Sequence, residues 1–182
     1  MERSISKLKK HVVIAGYGRM GEVVCRELNE KKVDFIVIEN SPQQFAKAEE
    51  KGLHVLQANA TDEEALKAAG IKRAKAFVSL LSSDADNMFT VMIAKDLNPS
   101  INIITRAFDP INEKKLCRIG AYRVISPYTL VSKRIVQTVL KPNVVDFFDI
   151  MVRSETLSLS IEEITISGNS PLMGKKIRES GL

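Results

Sequence analysis

The stretch HVVIAGYGRMGEVVCREL, residues His11–Leu28, decides the fold. Val12, Val13, Ile14 and Ala15 form a short apolar run rich in β-branched residues, which reads as a parallel strand buried on both faces. Three glycines interrupt the run that follows, and Met20, Val23, Val24 and Leu28 then recur at helical spacing. The order is therefore strand, tight glycine turn, helix.

Gly16, Gly18 and Gly21 spell G-x-G-x-x-G. Alone this is a weak signal. Here it follows a strand and opens a helix, and Glu39 closes the second strand about twenty residues on, as a dinucleotide fingerprint requires. Gly16 is expected to permit the turn, Gly18 to let backbone approach a phosphate, and Gly21 to let helix and strand pack closely. Tyr17 and Met20 lie between them and belong to the same phosphate-binding turn. Arg19 either curls over a phosphate chain or stays a free surface arginine. Glu39, with Asn40 beside it, can accept hydrogen bonds from a ribose diol, whereas a 2′-phosphate there would meet negative charge. The ligand expected is an adenosine nucleotide, NAD/NADH or ATP, ADP or AMP; the ribose contact does not separate these, but it disfavours NADP.

Outward from this unit, strands and helices alternate. FIVIE (35–39) is a strand, and SPQQFAKAEEKG a helix with Ser41 as N-cap, Pro42 in its first turn and Gly52 at its end. LHVLQA is the third strand. TDEEALKAAG has Thr61 as N-cap, Glu64 completing a capping box, and Gly70 as terminator. AKAFVSLL, INIITRA and AYRVIS give three more strands, separated by a long helix starting with Asp84 and Asp86, which suit its dipole, and by DPINEKKLCRIG. The expected fold is α/β: a Rossmann-type doubly wound six-stranded parallel sheet over residues 11–126, in the order 3-2-1-4-5-6.

Ligands in such sheets bind beyond the carboxyl ends of the strands. That rule adds Asn59, Ala60 and Thr61 after strand three, Leu80 and Leu81 after strand four, and Arg106 at the end of strand five. Arg106 would offset ligand phosphates, or else pair with Asp109.

After residue 126 the pattern changes. SPYTLVSKRIVQTVLK reads as a crossover helix whose apolar residues Leu130, Val131, Ile135, Val136, Val139 and Leu140 exceed one stripe, and VVDFFDIMV adds a further apolar block. Residues 127–153 therefore read as a self-association segment, or as a helix buried against its own sheet. Residues 154–182 supply one strand, a turn and a short helix, the beginning of a small α+β domain cut short.

Composition removes several classes. The chain has 182 residues and a net charge of +5, with basic residues spread along it and no Trp, so the basic groove with stacking aromatics that nucleic acid needs is missing. No run approaches the roughly 18 apolar residues of a membrane span, and the N-terminus lacks a signal-peptide core. Arg3, Lys7, Lys9 and Lys10 make residues 1–10 a basic linker, either simply solvated or lying near an anionic membrane face. Cys25 and Cys117 have no metal-binding or redox spacing and read as buried inert thiols. His11 and His54 sit at strand starts, the wrong end of the sheet for catalysis, and no nucleophile, base and orienting group converge. No catalytic residues and no metal site are assigned.

The segments KLKKHVVIAGYGRMGEVV, ATDEEALKAAGIKRAKAFVSLL, DADN, ITRAFDP and GAYRVISPY resemble the RCK or KTN domain (TrkA-N type) of prokaryotic potassium channels and Trk/Ktr uptake systems. The resemblance covers nearly the whole chain. It implies a non-enzymatic gating domain at the cytoplasmic face of the cell membrane, homodimeric through the crossover helix, assembled into octameric rings, and partnered with a potassium channel pore or transporter subunit. ISKLKKH and KPNVVDFFDIM look more like channels with a fused cytosolic domain; a free-standing Trk/Ktr subunit is the alternative, and an NAD-dependent oxidoreductase the less favoured one. Where the family has Gly-Asp-Ala-Thr this chain has Ala58-Asn59-Ala60-Thr61, and where calcium-gated members carry carboxylates it has Ser79, Arg106 and Phe108.

Overall fold

A computed structural model describes residues 8–145 together with Ser170 and Lys176. The expectations for residues 1–7, for 146–153 and for nearly all of the C-terminal segment 154–182 fall outside the described residues. Two compact units divide the chain, residues 1–134 and 135–182, and the whole sheet belongs to the first.

That sheet contains β1 (Val12–Ala15), β2 (Phe35–Glu39), β3 (Val55–Gln57), β4 (Ala76–Ser79), β5 (Asn102–Arg106) and β6 (Arg123–Ile125). Every neighbouring pair is parallel, and the order is β3-β2-β1-β4-β5-β6, as expected. Between the strands run α1 (Arg19–Glu30), α2 (Pro42–Glu50), α3 (Glu63–Ala68), a 3₁₀ turn (Ile71–Arg73), α4 (Asp84–Leu97) and α5 (Pro110–Arg118), with α6 (Pro127–Leu140) after β6. Parallel neighbours cannot be joined by a hairpin, so each crossover carries a helix and both sheet faces are covered.

The unbroken apolar run of β1 follows from this. Successive side chains point to opposite faces. Val13 and Ala15 join Ile36, Ile38, Phe77 and Ile103 in one core, whereas Val12 and Ile14 join Phe35, Val37 and Cys25 in the other. Each fully buried Val or Ile contributes about 1.5–3 kcal/mol of transfer free energy. Burial also pushes the Cys25 thiol up to about 12, which keeps it protonated and inert. Cys117 departs from expectation: it is exposed, because α5 turns only Leu116 fully inward.

A second departure lies at α3. Its N-cap is Asp62, one residue after the expected Thr61, and no capping box forms. Asn59 is responsible: its Oδ1 accepts from the Thr61 N–H at 3.1 Å and its carbonyl accepts from the Asp62 N–H at 3.0 Å, so a side-chain-built turn occupies the position. Glu64 pairs instead with Lys67. Gly70, at φ +76°, ends the helix as expected.

Lys47 of α2 and Lys51, the residue that caps its C-terminus, clamp Glu22 of α1 at 2.7 and 2.6 Å, and these two ammonium groups lower the Glu22 carboxyl to about 2. In α6, Leu130 and Val131 are 63% and 56% exposed, so the reading of these two as buried against their own sheet is not met.

Candidate functional site

The three glycines do three different jobs. Gly16 stands at φ +96°, a conformation that leaves little room for a side chain, with the Leu80 carbonyl close to where a Cβ would sit. A Cβ on Gly21 would overlap the Gly16 carbonyl oxygen, so α1 can lie on the turn only with glycine there. At Gly18 the opposite holds: a Cβ would meet nothing within 4 Å. Gly18 is also the N-cap of α1 and offers no side-chain cap, so the first N–H groups of a twelve-residue helix have no capping side chain at their N-cap. A cradle of that kind fits a phosphate.

On the β4 and β5 side of this turn lies a cavity of about 670 Å³. The turn contributes Gly18, Arg19, Met20 and Val23; the loop after β4 contributes Leu80 and Ser82. Arg106 and Phe108 form the far wall, and Pro127 and Tyr128 at the start of α6 close it. Among the expected site residues, Gly18, Arg19, Met20, Leu80 and Arg106 are thus brought together. Phe108, Pro127 and Tyr128 were not anticipated, since they meet the turn only through the strand order.

Leu81, after β4, packs on the core instead of lining the cavity, and the remaining expected residues flank the turn on its β2 and β3 side or lie beneath it. Glu39 is 7% exposed; its two carboxylate oxygens accept from the Tyr17 N–H at 2.6 Å and the Ser41 N–H at 2.7 Å. The carboxylate therefore braces the glycine turn, while lone pairs remain for a further donor. Tyr17 has its ring buried in the core, so what it presents at the turn is backbone. Asn40 and Asn59 are exposed, Thr61 is half-buried, and Ala60 is buried in the core.

Arg106 does not pair with Asp109. Its Nε donates to the Leu81 carbonyl at 2.8 Å, and its guanidinium lies 4.5 Å from the Phe108 ring centre. Phe108 in turn meets Tyr128, with ring centres 6.2 Å apart. Burial lowers Arg106 from its ordinary value; Asp84 opposes that shift, and the positive charge of Arg19 adds to it. Arg19 and Arg106 hence put two mutually repelling cations on one cavity, an arrangement that an anion relieves.

Two polar residues that the sequence reading did not assign to the site hold these walls. Asn87, fully buried on α4, accepts through Oδ1 from Ser79 Oγ at 2.7 Å and from the Leu81 N–H at 3.1 Å, while its Nδ2 donates to the Leu81 carbonyl at 3.0 Å. Asp84 accepts from the Phe108 and Asp109 N–H groups at 2.8 and 3.1 Å and from Asn112 Nδ2 at 2.9 Å. Burial works against its charge, yet those three donors and Arg106 hold the carboxyl below its ordinary value. Ser79 is buried and hydrogen-bonded, and Arg106 and Phe108 stack. Among the described residues no group of three or more His, Cys, Asp or Glu is placed to hold a metal ion, and no helix is long and apolar enough to cross a membrane.

Comparison with known proteins follows the same geometry. The family model described as the TrkA-N domain matches residues 12–127. Potassium channel protein 1 of Methanocaldococcus jannaschii is 33% identical over 180 residues, covering 98% of this chain and 54% of its own length. A Trk system potassium uptake protein TrkA homolog of Pyrococcus horikoshii is 30% identical over 179 residues, covering 94% of this chain and 76% of its own. Among solved structures, the GsuK channel bound to NAD superposes with a TM-score of 0.64 at 25% identity, over 71% of this chain and 23% of that one. The chain spans about half the length of the potassium channel relatives it matches.

Proposed function

This chain belongs to the TrkA-N domain family, and from that premise we propose that it is the nucleotide-responsive regulatory lobe of a potassium transport protein and turns over no substrate. The observation that carries the reading is the glycine turn, open at Gly18 before an uncapped helix start and braced from behind by Glu39. An adenosine nucleotide sits with its ribose diol toward Glu39 and its phosphates over Gly18, between Arg19 and Arg106. Asn40, Asn59, Ala60 and Thr61 border the adenosine end, and Leu80 and Leu81 the phosphate end. NAD, carried by the GsuK channel, is one such ligand; NADP is excluded by the Glu39 charge.

The parent protein places this lobe at the cytoplasmic face of the membrane, joined through residues 1–10 to a potassium pore. Two copies pair through α6, whose Leu130, Ile135, Val139 and Leu140 are all more than half exposed, and pairs assemble into a ring. A free-standing uptake subunit is the second reading, favoured by the 76% coverage of the Pyrococcus relative.

Calorimetry with NAD, NADH, ATP, ADP and NADP tests the ligand. Binding of the first four classes with NADP much weaker is expected; equal affinity for NADP, or no binding at all, overturns it. Light scattering of the chain and of Val139→Asp tests pairing: a dimer that becomes monomeric is expected, and a monomeric wild type refutes it. Potassium flux through the parent protein in liposomes, unchanged by bound nucleotide, would reduce the ligand to a structural cofactor.

A further inference from the structure

At the opposite end of the sheet from the cavity, the segment entering β1 is held by one turn of chain. Leu8 packs on the core, and its carbonyl accepts from Arg73 Nε at 2.8 Å. The Lys10 N–H donates to the Arg73 carbonyl at 2.9 Å, and the Lys75 N–H donates to the His11 carbonyl at 2.9 Å. The His11 ring completes the clasp, with Nε2 2.8 Å from the Ala69 carbonyl. Lys10 is held at φ +54°, a left-handed conformation that a lysine adopts only under constraint.

His11 is fully buried, and its Nδ1 has no hydrogen-bond partner. Because Nε2 faces a carbonyl, it must carry the ring proton, which leaves Nδ1 as a bare lone pair sealed from water. Buried polar atoms without partners are few in native proteins, and each asks for an explanation. A lone pair of this kind resists protonation while the clasp is closed, because an Nδ1–H would be a buried cationic donor without a partner. The charged groups around the ring are Arg73 from the 3₁₀ turn, which opposes a second positive charge, and Asp34 ahead of β2, which favours it; Lys10 and Lys75 flank it through the backbone. Desolvation outweighs the rest, and His11 lies below its ordinary value.

We propose that His11 is a proton-operated latch: uptake of a proton on Nδ1 requires the ring to leave its site, which releases the Ala69 contact and with it the hold of the Ala69–Arg73 turn on Leu8–His11. The thermodynamics follow from linkage. An opened ring has an ordinary histidine pKa of about 6.5, and the closed one binds its proton only at lower pH. Between pH 7.5 and 5.5 the opening equilibrium therefore rises up to about tenfold, with no other contact altered. On the reading of residues 1–10 as the link to a pore, this is the point at which acid would loosen the lobe from what it moves. The latch itself does not depend on that reading or on any nucleotide.

Hydrogen exchange of the full chain, residue by residue, is the test. The Lys10 and Lys75 amides report the clasp, and the Val37 amide, bonded to the His54 carbonyl in the same sheet, is the reference. After correction for intrinsic exchange, Lys10 and Lys75 should lose protection, by up to about tenfold, from pH 7.5 to 5.5 while Val37 holds. In His11→Gln, whose Nε2 can still donate to Ala69 but cannot titrate, the pH dependence should vanish. Equal loss at Val37, unchanged Lys10 and Lys75, or the same loss in His11→Gln overturns the proposal. Should that variant not fold, ring ¹⁵N spectra of the wild type decide: an Nδ1 already protonated at pH 7.5, or a His11 titration that leaves Lys10 and Lys75 protected, also overturns it.

Discussion

Removing the Glu39 carboxylate should unfold the protein more easily before any ligand is added. Its two oxygens are acceptors for the Tyr17 and Ser41 N–H groups at 2.6 and 2.7 Å, on a residue 7% exposed. Glu39→Ala strands both donors. The Tyr17 N–H has no water to turn to, and the Ser41 N–H, part-buried, has some; together the loss is about 2–4 kcal/mol. With a urea slope of about 2 kcal/mol per molar, the midpoint falls by about 1–2 M at unchanged slope. Glu39→Gln keeps one acceptor and turns an amide NH₂ toward the other donor, so it should lose about half as much. Urea denaturation without nucleotide, followed by circular dichroism, measures both. A midpoint for Glu39→Ala within about 0.2 M of wild type would refute the brace, since that corresponds to well under the cost of one stranded buried donor. The result also governs how affinities are read, because a nucleotide-binding defect in this variant contains the collapse of the turn as well as the lost ribose contact.

The glycines separate the same two effects. Gly21→Ala should destabilise by about 1–3 kcal/mol through the overlap with Gly16, whereas Gly18→Ala should leave the urea midpoint alone and weaken nucleotide binding, because its methyl occupies only the open cradle. Asp84 gives a pH signature. Its folded carboxyl lies below the ordinary value, so it favours the folded state above about pH 4 and that contribution is lost as the pH falls further. The fall in urea midpoint from pH 5 to pH 3 should accordingly be shallower in Asp84→Asn; an identical fall would mean the three donors around Asp84 contribute nothing.

Strand order was legible because β1, β2 and β5 are short and β-branched and the helices between the strands carry start and stop residues, so only a parallel doubly wound sheet buries both faces. The tight turn at Gly16 and the close packing at Gly21 were legible for the same local reason. What escaped was decided by groups brought close only in space or by side chains that compete with a neighbour. Asn59 outcompeted Thr61 for the start of α3 because its amide builds its own turn. Glu39 carried one visible role, at the end of β2, and one invisible role, since the N–H it braces lies 22 residues earlier. Asn87 gave a single faint signal, an amide on the inward stripe of a helix. Phe108 and Tyr128 gave none, because nothing in their local sequence says that their rings meet each other and the guanidinium of Arg106.

Arg106 is the residue whose expected role changes most. A cation at the end of β5 reads as a phosphate contact, and the charge of this one does line the cavity, but the side chain also holds its walls: Nε donates to the Leu81 carbonyl, the guanidinium face lies on Phe108, and Asp84 is close enough to favour its charge. Arg19 is exposed at the rim of the same cavity. The two should therefore answer differently to lysine, which keeps the charge and loses the planar fork. Arg106→Lys gives up the Leu81 bond and most of the stacking, a loss of about 1–2 kcal/mol in stability without nucleotide, and it should loosen the loops on which Leu81 and Phe108 sit. Arg19→Lys should leave stability unchanged and retain most of the affinity for an adenosine nucleotide, while Arg19→Ala loses it. Urea midpoints and calorimetry on the three variants separate brace from ligand contact. If Arg106→Lys keeps wild-type stability and only Arg106→Ala binds nucleotide weakly, Arg106 acts as a point charge toward the ligand and the bracing role assigned to it is wrong.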